Sequence, residues 1–303
     1  MHAQYFSRFE FAGYRLKRWA QCVLLAVPVA VGLLGEAHAA FSVFDSTGAT
    51  AADITSTRDG FRAAVGGGTA AAANGDFGGV RREINWDGVP DARSAPNALP
   101  ANFFNVNSPR GVVFSSPDGA ATFLVSSTTA SGQPILFGFP GDLQTFSPQR
   151  LFATTNSRVT DIRFFVPGTS TAATTRAFAA IFVDAEFNDA ANFTRMEFFD
   201  QSDAVIFSHN VTAANFQLTN GDNRGGLSFL GGVADAGERI ARVRITTPDN
   251  FLISNGVRAN ESSDFVIMDD FLYATPAAVP EPEIWAMVIL GLGAVGWRAR
   301  RRR

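Results

Sequence analysis

Carboxylates are the side chains best supplied for chemistry in this chain. Past residue 40 it holds one histidine, His209, and no cysteine, because Cys22 is the only one. A serine–histidine pair would have to be built on His209, yet no Gly-x-Ser-x-Gly turn exists to offer the serine. One histidine without a thiolate also falls short of the usual zinc ligand set. Acidic pairs remain. Asp184 and Glu186 alternate onto one face of a strand end, Asp189 lies close by, and Glu197 and Asp200 follow. Two carboxyls about 5 to 10 Å apart across a cleft would suit glycoside hydrolysis. Asp269 and Asp270 interrupt an apolar run, with Phe265-Val266-Ile267-Met268 before them and Phe271-Leu272-Tyr273 after. Adjacent strand residues face opposite sides, so at least one of this pair points toward the core or a sheet edge. There it requires an arginine, backbone N–H groups or a calcium ion.

A second candidate surrounds Trp86, the only tryptophan between residues 40 and 279, flanked by Asn85 and Asp87. It opens a long stretch rich in proline, asparagine and aromatic residues that runs to Gly111, the kind of loop that carries function when a scaffold holds it. The indole could stack on a sugar or close the core beneath that loop. Gly66-Gly67-Gly68 has no Gly-Lys-Ser/Thr after it, so it reads as a helix stop and not a phosphate cradle.

The elements that would position these residues are mostly short strands. After Phe41–Phe44 a short helix is expected, capped by Thr55, Ser56 or Thr57, with Phe61, Ala64 and Val65 on its apolar side. Residues 69–78 read as a loop. Strands are predicted at 112–115, 121–126, 135–139, 158–166, 176–184, 195–200, 204–208, 227–230, 238–246 and 265–273. Ile162, Phe164 and Val166 alternate with Asp161 and Arg163, and Ala241, Val243 and Ile245 with Arg242 and Arg244, so these strands should each keep a wet face. Turns are expected at Phe199–Ala204 and Asn220–Asn223. The fold class is therefore all-β, an antiparallel β-sandwich with one short N-terminal helix, filled by the 26 phenylalanines that follow residue 40. The closing strand, apolar-Asp-Asp-apolar, resembles that of jelly-roll, lectin-like sandwiches. That resemblance implies a jelly-roll-like body in which Asp269 and Asp270 can help bind a structural calcium; no other cofactor is expected.

Both ends of the chain carry addresses. Arg8, Arg15, Lys17 and Arg18 precede an apolar stretch from Cys22 to Leu34, and Ala37-His38-Ala39 forms a cleavage site before Ala40. Residues 1–39 thus read as a signal peptide with its own helix, read by the general secretion machinery. Its removal takes Cys22 away and excludes disulfides from the body. Without the 4 basic and 2 acidic residues of the leader and the 5 basic and 2 acidic of the tail, 16 basic and 24 acidic residues remain, a net charge of −8. Such a surface repels phosphate backbones, which argues against nucleic acid as a partner.

Residues 40–273 read as one domain and 274–279 as a linker. Then come Pro280-Glu281-Pro282, an uncharged run of 14 residues from Ile284 to Trp297, and Arg298, Arg300, Arg301, Arg302 and Arg303. As a helix the run reaches roughly 21 Å against a hydrocarbon core of about 30 Å, a marginal transmembrane helix that the arginines would stop from crossing. These three blocks resemble the PEP-CTERM sorting signal of Gram-negative bacteria, departing from it at Glu283. The resemblance covers residues 280–303 and implies that an exosortase-type membrane transpeptidase recognises Pro280, Glu281 and Pro282. The expected product is an exported protein, anchored first in the inner membrane and then delivered to the cell surface or beyond. Two functions follow for the body. One is a non-catalytic surface or matrix protein, with Asn85, Trp86 and Asp87 touching exopolysaccharide. The alternative is an exported, glycosidase-like hydrolase that uses its carboxylates.

Overall fold

The computed structural model describes residues 40–185, 193–214, 225–237, 239–248, 251–253, 259, 265–279 and 298. In chain order the elements are β1 (Phe41–Gly48), α1 (Ala51–Val65), β2 (Asp76–Phe77), β3 (Arg81–Ile84), α2 (Phe103–Val106), β4 (Val112–Ser115), β5 (Thr122–Val125) and β6 (Phe152–Thr155). They continue with β7 (Val159–Phe164), β8 (Ala173–Thr174), β9 (Ala177–Val183), β10 (Arg195–Phe199), β11 (Val205–Asn210), β12 (Leu227–Ala234), β13 (Arg242–Thr246), β14 (Ile267–Ala274) and β15 (Ala277–Ala278). Every pairing between these strands is antiparallel. The larger sheet runs β1-β12-β9-β14-β3-β2, with β5 attached to β6 and β6 to β14. The smaller runs β11-β10-β13-β7-β4, and β15 pairs with β8 apart from both.

The two sheets share a core, as a sandwich requires. Phe114, Ile162, Phe198 and Val243 from the smaller sheet join Ile84, Phe152, Phe178, Phe271 and Tyr273 from the larger one in a single apolar cluster. The larger sheet is covered on its other side as well. All seven residues of β9 are buried, and its side chains divide by period two. Phe178, Ala180 and Phe182 face the smaller sheet, whereas Ala177, Ala179, Ile181 and Val183 pack with Ile54, Phe61 and Val65 of α1 and with Leu143. Gly231 and Gly232 of β12 permit this close layering. A Cβ on Gly231 would lie 2.9 Å from a Phe61 ring carbon, and one on Gly232 would lie 2.8 Å from a Phe198 ring carbon, so the rings close in from opposite faces.

Several expectations need correction. The helix starts at Ala51, where the Asp53 carboxylate accepts from the Thr50 amide (2.8 Å) and hydroxyl (2.9 Å); Thr55 instead donates back to the Ala51 carbonyl within it. Ala64 is exposed. The glycine stop is as expected, with Gly66 at φ 88°. Residues 135–139 make a 3-10 turn, Leu136–Gly138, because Phe137 takes φ 55°. Part of the 69–78 loop is β2, hydrogen-bonded to β3. The stretch read as a linker contributes the end of β14 and all of β15, whose Ala277 and Ala278 pair with Thr174 and Ala173. The turn after Phe199 forms as expected, with Asp200 Oδ1 accepting from the Ser202 and Ala204 amides at 2.8 and 3.0 Å. The turn expected at Asn220–Asn223 lies outside the described residues.

Candidate functional site

The site grows from an irregularity in β14. Met268 pairs with Phe182 and Phe271 with Ala180, so the two residues Asp269 and Asp270 stand opposite the single Ile181. This is a β-bulge, and it re-aims side chains that a regular strand would send to opposite faces. Both carboxylates consequently reach Ser147: its hydroxyl donates to Asp270 Oδ1 at 2.7 Å and lies 3.3 Å from Asp269 Oδ1. Asp269 Oδ2 also accepts from the Phe146 amide at 2.6 Å and the Ser147 amide at 3.3 Å. Burial, reinforced by the neighbouring Asp270, holds Asp269 well above the usual carboxylate range. Burial also pushes Asp270 up to about 6, against the pull of the Ser147 hydroxyl. The backbone donors that the sequence allowed as partners are thus in place. No group of three or more His, Cys, Asp or Glu side chains able to hold a metal occurs among the described residues.

Trp86 joins the second candidate to the first. Its ring is 1% exposed, stacks on Phe152 at 4.3 Å with the planes 6° apart, and meets Phe104 and Phe271 edge-on. Its Nε1 donates to the Asp269 carbonyl at 2.7 Å. The indole is therefore a core residue, and its ring is not open for stacking on a sugar. It adopts φ 64°, a conformation costly for a bulky side chain and held here by the surrounding packing. Asn85 Nδ2 donates to Asp87 Oδ2 at 3.1 Å. Asp87 Oδ1 accepts from the Gln149 amide at 2.6 Å, tying the loop after β3 to the loop that carries Ser147.

These elements enclose a cavity of about 700 Å³ walled by α1, the β2–β3 hairpin, the 146–148 loop and Asp270. A neighbouring cavity of about 400 Å³ lies against Trp86, Phe103 and Phe104. Asn85 and Arg110 border both. Within the larger one, Arg62 grips Glu83 with two bonds, Nε to Oε1 at 2.9 Å and Nη2 to Oε2 at 2.6 Å. Arg81 adds a third at 2.7 Å, while its Nη1 and Nη2 donate to the carbonyls of Gly66 and Gly68 and so fasten the helix stop. Arg110 donates from Nη1 to the Glu83 carbonyl and from Nε to Ser108 Oγ at 3.2 Å. The Tyr273 hydroxyl donates to the Arg110 carbonyl at 3.1 Å. Gly75, at φ 60°, makes room: a Cβ there would collide with the Glu83 carbonyl oxygen and Arg110 Nη1. Sequence reasoning missed Arg58, Arg62, Glu83, Arg110 and Ser147, which come together only through the fold.

The other acids do not converge. Asp184 is buried at the end of β9 in the larger sheet. Glu197 belongs to β10 in the smaller one, beside the Ser208 hydroxyl at 3.5 Å, and Asp200 shapes the following turn. Glu186 and Asp189 lie outside the described residues. His209 sits within β11, its Nδ1 2.7 Å from the Asn210 carbonyl.

At the ends, Ala37 and Ala39 lie outside the described residues, whereas the Ala40 carbonyl accepts from the Asp235 amide at 2.9 Å immediately before β1. Pro280, Glu281, Pro282 and the apolar run also lie outside them, as do Arg300, Arg301, Arg302 and Arg303; Arg298 is exposed. Among the described residues no helix is long and apolar enough to cross a membrane. Residues 278–303 match the PEP-CTERM protein-sorting motif family. A search of curated proteins finds no match to the chain. The sorting signal read from Pro280-Glu281-Pro282 is thereby supported by an independent comparison. It implies export, processing by an exosortase, and a destination in the cell envelope or at the surface.

Proposed function

We propose that this chain is a non-catalytic surface or matrix protein. The general secretion machinery exports it, its leader is removed after Ala39, and a tail helix holds it in the inner membrane until an exosortase-type transpeptidase acts at Pro280-Glu281-Pro282. The body, a sandwich of jelly-roll-like kind, then serves outside as a binding module associated with extracellular polysaccharide. The observation that carries this reading is the sorting-motif match at 278–303, which begins at the last residue of β15. A non-catalytic body is supported by the dispersal of Asp184, Glu197 and Asp200 over separate elements and by the enclosure of Asp269 among backbone donors. Mass spectrometry of the protein from its native envelope tests the sorting. The expected C-terminus lies close to Pro280, and an intact Arg298–Arg303 would overturn it.

One observation favours the hydrolase alternative: Asp270 borders a cavity with its acidity tuned to about 6, the range in which a carboxyl can act as general acid or base. A hydrolase of this kind would cleave an oligosaccharide panel and lose that activity in Asp270→Asn. The expected outcome is no cleavage by either protein.

A further inference from the structure

Arg110, which borders both cavities, stands apart from the other arginines of this region. Arg62 and Arg81 pair with Glu83, Arg58 with Asp59, and Arg82 with Asp76 at 3.5 Å. Among the described residues Arg110 has no carboxylate within ion-pair distance. Its Nη1 and Nε are held by a backbone carbonyl and a serine hydroxyl, its guanidinium lies 5.1 Å from the centre of the Phe104 ring, and Nη2 has no protein acceptor among these residues. Burial holds the Arg110 guanidinium below its ordinary pKa, and repulsion from Arg82 acts in the same direction. A desolvated cation normally has a countercharge, and here the side chain borders both cavities. The body as a whole is acidic, so a local surplus of positive charge in a concave site marks it for an anion.

The rest of the lining limits what that anion can be. Asp270 and Glu83 border the larger cavity and would repel a ligand bearing several negative charges. Asn85 and the free acceptor capacity of Asp270 instead suit hydroxyl donors. We propose that the larger cavity binds a saccharide unit bearing one carboxylate, a uronate, with Arg110 as the anchor for its carboxylate and Asn85 and Asp270 as partners for its hydroxyls. This deepens the polysaccharide-binding reading and rests on it. Arg110 is pre-positioned by the Tyr273 hydroxyl on its carbonyl and by Phe104 beneath its guanidinium, so little ordering remains to oppose binding.

The test uses the full-length chain in detergent and isothermal titration with a methyl galacturonoside, which bears a single carboxylate, and with its methyl ester, which keeps the hydroxyls and removes the charge. The acid form is expected to bind at least about tenfold more tightly than the ester, in line with a charge-assisted guanidinium–carboxylate contact. Arg110→Gln should remove that tenfold preference at an unchanged melting profile, and Asn85→Ala should weaken both forms. Arg163→Gln, on the exposed face of β7, should change neither. Equal binding of acid and ester, binding of neither, or a preference that survives Arg110→Gln would overturn the assignment. None of these results alters the mass at Pro280, so loss of this ligand and loss of the sorting role read out separately.

Discussion

Asp161 and Asp269 are both buried strand carboxylates, and they are accommodated in opposite ways. On β7, Asp161 is 4% exposed and receives Arg242 Nη1 at 3.1 Å, Arg244 Nε at 2.7 Å and Arg244 Nη2 at 2.8 Å. Arg242 in turn lies 3.7 Å over the Phe199 ring. The outer face of the smaller sheet, expected to be wet, is at this point closed by two arginine stems and a ring. On β14, Asp269 has two backbone amides and a serine and no arginine, and its neighbour Asp270 opens onto a cavity. A carboxylate locked to two arginines is taken up by holding the fold together. One held by neutral donors beside a cavity can change its protonation and can meet a ligand.

The sharpest way to break this contrast is to remove the locked acid. Asp161→Ala leaves Arg242, 4% exposed as a side chain, with only the solvent-facing Asp203. Loss of one partner of a buried pair costs about 3 to 5 kcal/mol, which in a body of this size lowers the melting temperature by roughly 10 °C. Thermal melts of the two proteins check it; a shift below about 2 °C would place Asp161 among surface pairs.

Beside Asp269, Asp270 makes stability depend on pH. Asp270 rises from 3.8 to about 6 on folding, so between those values the folded state binds more protons than the unfolded one. The stability it contributes is fully present below about pH 4 and is lost as pH rises through 6. The shift corresponds to about 3 kcal/mol. Asp270→Asn, which cannot ionise, should therefore gain on the wild type by about that amount between pH 4 and pH 7, read from urea midpoints at the two values. The difference between the proteins cancels titrations away from the Asp269–Asp270 pair; within it, Asp270→Asn also relieves the charge repulsion on Asp269. Parallel pH profiles would show that Asp270 stays charged when folded.

How far each site was legible follows from the range of its determinants. The Asp-Asp interruption of an apolar run is local, and it marked β14 correctly. The bulge that turns both acids to one side is not local, since it depends on which β9 residues stand opposite. Arg81-Arg82-Glu83 is too charged to read as a buried strand. It becomes one because Arg62, a helix residue far earlier in the chain, neutralises Glu83 from across the site. Nothing in the sequence singles out Arg110 between Pro109 and Gly111, and only the folded neighbourhood shows that no carboxylate among the described residues pairs with it. The period-two pattern of β7 and β13 placed Asp161, Arg242 and Arg244 on the outer face correctly. It could not say that large side chains on one face would cover one another. The sorting tail was readable because its recognition element is contiguous.

The smallest effect sharpens the same comparison. Asp203 also accepts from Arg242, at 2.6 Å from Nη2 and 3.1 Å from Nε, so by distance alone it rivals Asp161. Yet its side chain is 66% exposed, where water and salt screen the pair and holding two side chains together costs entropy. Asp203 sits at φ 65°, so alanine would confound the test with backbone strain, whereas asparagine tolerates that conformation. Asp203→Asn at 0.15 M salt is expected to leave the melting temperature unchanged within error, and to leave the Asp161→Ala loss undiminished when the two are combined. If Asp203→Asn alone approached the loss seen for Asp161→Ala, proximity to arginine and not enclosure would decide which acids hold the smaller sheet together. The distinction between the locked and the open carboxylate would then fall, because it rests on burial.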